Sequence, residues 1–199
     1  KKFSESIDGK IIFEYDLKKT NWLNIGGVAK AFFKPENLKE IVEFLKRFGE
    51  KEKIFILGAG SNILVNDNFF DGIVIKLGKN FSNISLLSND TLVAGSATSD
   101  KKLAEFAAKN NIGGLEFLSC IPGTIGGGIR MNSGCFKKEF KDIVLSVQAV
   151  DKIGQVLTIP SSKIKFNYRK TNLDKSLIFL SATLKGQISE NQKISNYME

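Results

Sequence analysis

Residues 53–57, Lys-Ile-Phe-Ile-Leu, pass without a spacer into Gly58-Ala59-Gly60-Ser61-Asn62. A short apolar run bounded by glycine reads as a buried strand. Glycines directly after a strand let backbone N–H groups approach a phosphate or diphosphate. The dinucleotide fingerprint G-x-G-x-x-G is broken, because Ile63 occupies the third glycine position, and no Gly-Lys-Ser/Thr follows to make a Walker loop. Two readings stay open: a diphosphate cradle in some other fold, or a tight turn whose glycines only permit positive φ.

The surrounding pattern makes this turn part of a βαβ-type unit. Pro35-Glu36 opens a helix on which Leu38, Ile41, Val42 and Leu45 recur at helical spacing, and Gly49 is its stop. Residues 72–77 give the next strand, so strand, helix and strand fill residues 28–77. Residues 78–90 turn polar and mark a boundary. Beyond them come a strand at 91–94 and a helix capped by Ser99, carrying Leu103, Phe106 and Ala107 and ended by Gly113-Gly114. Residues 143–150 and 155–159 alternate as a hairpin about 151–154, and 178–184 is a further strand. The chain is expected to divide into residues 1–78, residues 79–187 and, from 188 to 199, the start of a helix. Ser189 and Gln192 have the spacing of a capping box there, with Ile194, Tyr197 and Met198 as the apolar stripe. Because it starts at Lys1 rather than Met and stops within this helix, the chain reads as part of a longer protein.

A second glycine-rich stretch runs from Ser119 to Gly128 and continues to Asn132-Ser133-Gly134. It places many backbone donors and little side-chain bulk in one place, which suits a flat ring and its diphosphate. Ile121, Pro122 and Ile125 interrupt the glycines, as a mere linker would not require. Asn21 to Gly27 offers either a third close backbone approach or an ordinary turn around a packed Trp22. Tyr168-Arg169 stands out because only three of the 29 basic residues are arginines. A guanidinium binds carboxylates in a bidentate way, though a surface arginine lying along a tyrosine ring is the commoner use.

Composition narrows the chemistry. The chain has no histidine, which removes Ser-His-Asp and Cys-His catalysis and histidine-ligated metals. Cys120 and Cys135 cannot form a four-cysteine zinc site, and no metal is expected. They read as small buried apolar residues or, more specifically, as a thiol bonded to a flavin. The net charge of +8 is spread along the chain with no basic cluster, so it fits anionic small-molecule ligands better than nucleic acid. Nothing resembles a signal peptide or a run of about 18 apolar residues, so a cytoplasmic location away from the membrane is expected.

In their order along the chain, these segments resemble the MurB family, the UDP-N-acetylenolpyruvoylglucosamine reductases of peptidoglycan synthesis. The resemblance covers about residues 20–185. It rests on Asn21 to Gly27, on Leu57 to Val65 with Asp67 and Gly72, on Gly113 to Gly134, and on Tyr168-Arg169. It implies an α+β fold of the vanillyl-alcohol-oxidase/PCMH type, in which two subdomains hold noncovalent FAD and a third domain binds the UDP sugar. Gly58, Ala59, Gly60, Ser61 and Asn62 would then cradle the diphosphate. Ile121, Pro122, Gly123, Thr124, Gly126, Gly127 and Asn132 would line the flavin side.

The resemblance also implies the reaction. NADPH delivers a hydride to flavin N5, which passes it to the vinyl C3 of UDP-N-acetylglucosamine enolpyruvate, giving UDP-N-acetylmuramate. Arg169 would stabilise the charge that develops on the carboxylate side, and Tyr168 would shape the site. The family's general-acid serine, in a Gly-Ser-x-Phe-x-Asn segment, and its assisting glutamate have no match in residues 1–199. Cys120, Cys135 and Thr171 depart from the family's usual residues. A monomer is expected. The alternatives are another FAD-dependent oxidoreductase of the same fold and, more distantly, a non-enzymatic binding module.

Overall fold

In the computed structural model, the described residues are 9–191, Ile194 and Met198. The first sheet holds β1 (Lys10–Asp16), β2 (Val28–Lys34), β3 (Ile54–Ile56) and β4 (Phe70–Ile75), in the order β1-β2-β4-β3. β1 runs antiparallel to β2, while β4 lies parallel to both β2 and β3. Helix α1 (Leu38–Phe48) makes the crossover between β2 and β3. The central strand β4 is buried over Gly72–Ile75, as the continuous apolar run of a parallel strand requires.

The second sheet begins with β5 (Ile84–Leu86) and β6 (Thr91–Gly95). Helix α2 (Asp100–Lys109), β7 (Ile112–Gly113), helix α3 (Ile125–Met131), β8 (Gly134–Cys135) and β9 (Lys138–Glu139) follow. Then come β10 (Val144–Val150), β11 (Val156–Pro160), β12 (Phe166–Asn167), β13 (Lys170–Thr171), β14 (Ile178–Lys185) and β15 (Gln187–Ile188). The sheet order is β11-β10-β14-β6-β5, with every neighbour antiparallel. Leu103, Ala107, Leu118, Ile125, Ile129 and Phe140 pack on Val147 and Ala182 beneath it.

The two sheets share a core. Ile41, Phe44 and Leu45 of α1 meet Phe33, Ile73 and Ile75 in a cluster that also contains Val150, Ile178 and Leu180 of the second sheet. Burying a side chain of this size is worth about 1.5–3 kcal/mol, so this cluster fixes one sheet against the other and sets the cleft between them.

Two boundaries differ from expectation. Helix α1 begins at Leu38, because Asn37 Oδ1 accepts the Glu40 N–H at 3.0 Å while Glu40 Oε2 accepts the Glu36 N–H at 2.8 Å. Pro35-Glu36 therefore precede the helix. Helix α2 does start after Ser99, whose Oγ accepts from Lys102 N, but it stops at Lys109. Asn110 caps it and Asn111 turns left-handed (φ 59°), so Gly113-Gly114 are not its end. At the C-terminal side, Ile194 N–H donates to Glu190 O and Ile194 is buried, whereas Gln192 and Tyr197 lie outside the described residues. Among the described residues, no helix is long and apolar enough to cross a membrane.

Candidate functional site

The turn after β3 is open to a ligand. Leu57 N–H still bonds Ile75 O at 2.8 Å, but from Gly58 to Asp67 no backbone N–H donates to a protein acceptor among the described residues. The turn is braced from behind. Trp22 N–H donates to Gly60 O at 3.0 Å, and Gly60 (φ 74°) lies so close to the Thr20 carbonyl that a side chain would overlap it. Asn21, buried, donates its amide to Leu17 O and Ile25 O, both at 2.8 Å. Gly27 N–H bonds Asn66 O at 2.8 Å, so Gly26-Gly27 approach protein backbone. Trp22 is not packed; it is 61% exposed.

The second glycine stretch behaves differently. Ile125 N–H donates to Thr98 O (2.9 Å), Gly126 N–H to Ser96 O (3.0 Å) and Gly128 N–H to Thr124 O (2.8 Å). Thr124 Oγ1 caps α3 by accepting from Gly127 N at 3.4 Å. The donors expected here are thus engaged within the protein: Ile125 and Gly126 dock α3 on residues 96–98, and Gly127 and Gly128 bond Thr124 in the helix's own first turn. Gly126 and Gly128 allow that close packing, since a Cβ would press on Ser96 at the first and on the Phe140 ring at the second. Gly127 meets only Thr124 Oγ1, at 3.5 Å, and faces the cleft.

The two turns meet in one cleft with two arms that share Phe55–Ala59, Thr124 and Gly127. An arm of about 450 Å³ is lined by Gly58–Asn62, Cys120–Thr124 and Arg169. An arm of about 540 Å³ has an apolar wall containing Ile56, Leu57, Leu177 and Phe179, and three cations, Lys76, Arg130 and Lys175. Burial, and then Lys34, hold the Lys76 ammonium below its usual range. Both volumes fall in the range of small-molecule sites. Uncommitted amides beside cations suit a diphosphate, and apolar walls suit flat rings, so these residues fit a dinucleotide.

Of the residues singled out from sequence, Gly58, Ala59, Gly60, Ser61, Asn62, Ile121, Pro122, Gly123, Thr124, Gly126, Gly127 and Arg169 line the cleft. Arg169 occupies the turn between β12 and β13 with φ 53°; its guanidinium donates to Gly134 O (3.0 Å) and Asn132 O (3.4 Å). Two expectations are corrected. Asn132 does not line the cleft: it is fully buried in a left-handed conformation after α3. Its amide donates to Glu139 Oε2 and Asn167 O and accepts from Lys141 N, which uses both donors inside the protein. Tyr168 is 82% exposed and outside the cleft wall, with its ring under the Arg169 guanidinium at 5.1 Å. Nor are the cysteines buried apolar filler, for Cys120 is exposed, Cys135 half-buried, and both line the Arg169 arm.

Other cleft residues had not been singled out. Arg130 lies over the Phe179 ring (4.1 Å) and donates to the carbonyls of Leu173, Asp174 and Leu177, tying residues 173–177 to α3. The scarcity of arginine was its signal. Asp100 lines the 450 Å³ arm, and neither its carboxyl nor the Ser96 and Thr98 hydroxyls find a protein partner. Nothing in the sequence marks Asp100 apart from its place just after the Ser99 cap, where β6 leads into α2.

Residues 29–160 match the FAD binding domain family. The chain is 63% identical over 196 residues to a UDP-N-acetylenolpyruvoylglucosamine reductase of Pelagibacter ubique, covering 98% of this chain and 65% of that protein. It is 42% identical over 188 residues to the enzyme of that name from Rickettsia canadensis, covering 94% and 63%. The chain thus spans just under two thirds of the length of these relatives. Among solved structures, the UDP-N-acetylenolpyruvylglucosamine reductase (MurB) of Thermus caldophilus superposes with a TM-score of 0.82 at 26% identity, over 96% of this chain and 67% of that one. An alkyldihydroxyacetonephosphate synthase shares the fold alone, with a TM-score of 0.60 at 16% identity, over 83% of this chain and 33% of that one.

Proposed function

The chain belongs to the FAD binding domain family, and from that premise we propose that it is the FAD-holding part of a reductase acting on UDP-N-acetylglucosamine enolpyruvate with NADPH as hydride donor. The observation that carries this reading is the meeting of the uncommitted 58–63 amides with Thr124 and Gly127 in one cleft. When bound, FAD supplies the two-electron hydride chemistry. Gly58 to Asn62 would hold its diphosphate by backbone N–H groups, and Lys76 and Lys175 add positive charge beside the apolar wall. Thr124 and Gly127, at the junction of the arms, would lie against the ring.

Arg169 would bind the substrate carboxylate and stabilise the negative charge that spreads into it as the vinyl group is reduced. Its two backbone hydrogen bonds hold the guanidinium before substrate arrives. Preorganised charge of this kind is worth about 3–4 kcal/mol per donor. Tyr168 would act only by supporting that guanidinium. The proposed protein belongs to peptidoglycan synthesis and works in the cytoplasm.

Purified protein is expected to retain FAD with a visible flavin spectrum, and the longer protein containing this chain to oxidise NADPH only when the enolpyruvyl substrate is present. Oxidation driven instead by simple alcohols would favour another oxidoreductase of the fold.

A further inference from the structure

From the end of β6 to the first residue of α2, residues 96–100 carry buried polar atoms with no partner among the described residues: Ser96 Oγ, Thr98 Oγ1 and both oxygens of Asp100. Unpartnered polar atoms at this depth cost about 1–3 kcal/mol each, so a retained cluster calls for a partner outside the chain. Asp100 has no exposed surface, yet it lines the same arm as the uncommitted Gly58–Asn62 amides and Arg169. It sits directly behind Gly123, with no side chain between its carboxyl and the turn: a Cβ there would come within 2.6 Å of Asp100 Oδ2. Among the described residues, Asp100 is also the only acidic one lining this arm. Every other polar group around it suits an anion, and an ionised carboxylate would oppose one.

We propose that Asp100 is a binding residue for the dinucleotide, its neutral carboxyl donating a hydrogen bond to a diphosphate oxygen, so that binding weakens when the carboxyl ionises. The inference rests on the FAD reading above. Burial raises the Asp100 carboxyl to about 8, so it stays protonated at neutral pH. The other charged or titratable groups lining the arm are Arg169 from the β12–β13 turn, Cys120 from the second turn and Cys135 of β8. Lys101 and Lys102, on the same helix, are exposed.

The test is FAD affinity, read by quenching of flavin fluorescence from about pH 6.5 to about pH 9.5. Wild type is expected to hold a constant Kd at the acid end. Above about pH 8 its Kd should rise by up to about tenfold per pH unit, as the uptake of one proton per binding event requires. Asp100→Asn, neutral throughout, is expected to give a flat profile, and a Cys120→Ser/Cys135→Ser double variant to keep the wild-type slope. Gly123→Ala, which forces a methyl against Oδ2 and leaves the carboxyl in place, is expected to weaken FAD at neutral pH and decides the matter if Asp100→Asn fails to fold. Wild type binding FAD with a flat profile, Asp100→Asn keeping the wild-type slope, or Gly123→Ala binding unchanged would overturn the proposal. No FAD binding at any pH overturns the cofactor reading and this inference with it.

Discussion

Thr124 Oγ1 lies 2.9 Å from the point that a Cβ on Gly58 would occupy, and among the described residues no other atom outside residues 57–59 lies within 4 Å of that point. One residue from each glycine turn thus adjoins the other in the wall that the two arms share. Gly58→Ala is expected to disturb the ligand more than the fold, since the methyl meets only one side chain. Overpacking costs about 1–3 kcal/mol. Isothermal titration should show FAD affinity falling roughly tenfold with the melting temperature within a few degrees of wild type.

Neighbouring glycines in α3 separate packing from binding. Gly128→Ala drives a methyl into the Phe140 ring and is expected to destabilise the protein by about 1–3 kcal/mol. Gly127→Ala meets only Thr124 Oγ1 at 3.5 Å, and alanine favours a helix over glycine by about 1 kcal/mol. It should leave the unliganded protein as stable or more so, while its methyl projects into the cleft and weakens FAD. Urea unfolding with and without FAD distinguishes the two.

What the sequence revealed follows from which forces act locally. The strand into Gly58, the Ser99 cap and the 151–154 hairpin depend on neighbouring residues and read directly. The α1 start was misplaced because Pro at a first turn is a strong signal, yet the Asn37–Glu40 pair satisfies the N-terminal amides. β1 carries only a weak alternation and is held by its pairing with β2. In the site, Gly58 to Asn62 and Arg169 were legible by type and order. Asn132 was expected at the flavin side but is buried, because a buried hydrogen-bonded amide and a ligand-facing one look alike in sequence. Asp100 went unseen because its meaning depends on Gly123, far along the chain, lying over it.

Arg169 joins its charge to a strained turn, so charge and position can be separated. Arg169→Ala is expected to lower kcat/KM of the longer reductase by about two to three orders of magnitude, from a loss of about 3–4 kcal/mol, with the flavin spectrum unchanged. Arg169→Lys keeps the charge but loses the fork that reaches Asn132 O and Gly134 O, and should recover only a small part of the rate. Steady-state kinetics with each variant tests this, and equal turnover in Arg169→Ala would remove the residue from the mechanism.

Asp100 also makes stability depend on pH before any ligand binds. Its carboxyl is raised from 3.8 to about 8 by burial. The unfolded chain loses this proton near pH 4, whereas the folded protein keeps it until near pH 8. Between those values the folded state holds the extra proton, so this group's contribution is complete at the acid end. It falls by about 1.4 kcal/mol per pH unit as pH rises, and levels off above about pH 8. Asp100→Asn carries no such dependence. Thermal melts of ligand-free protein should therefore show the variant matching wild type near pH 4, exceeding it increasingly up to pH 8, and holding a constant advantage beyond. A difference between the two that does not change across this range would mean the folded protein carries Asp100 ionised.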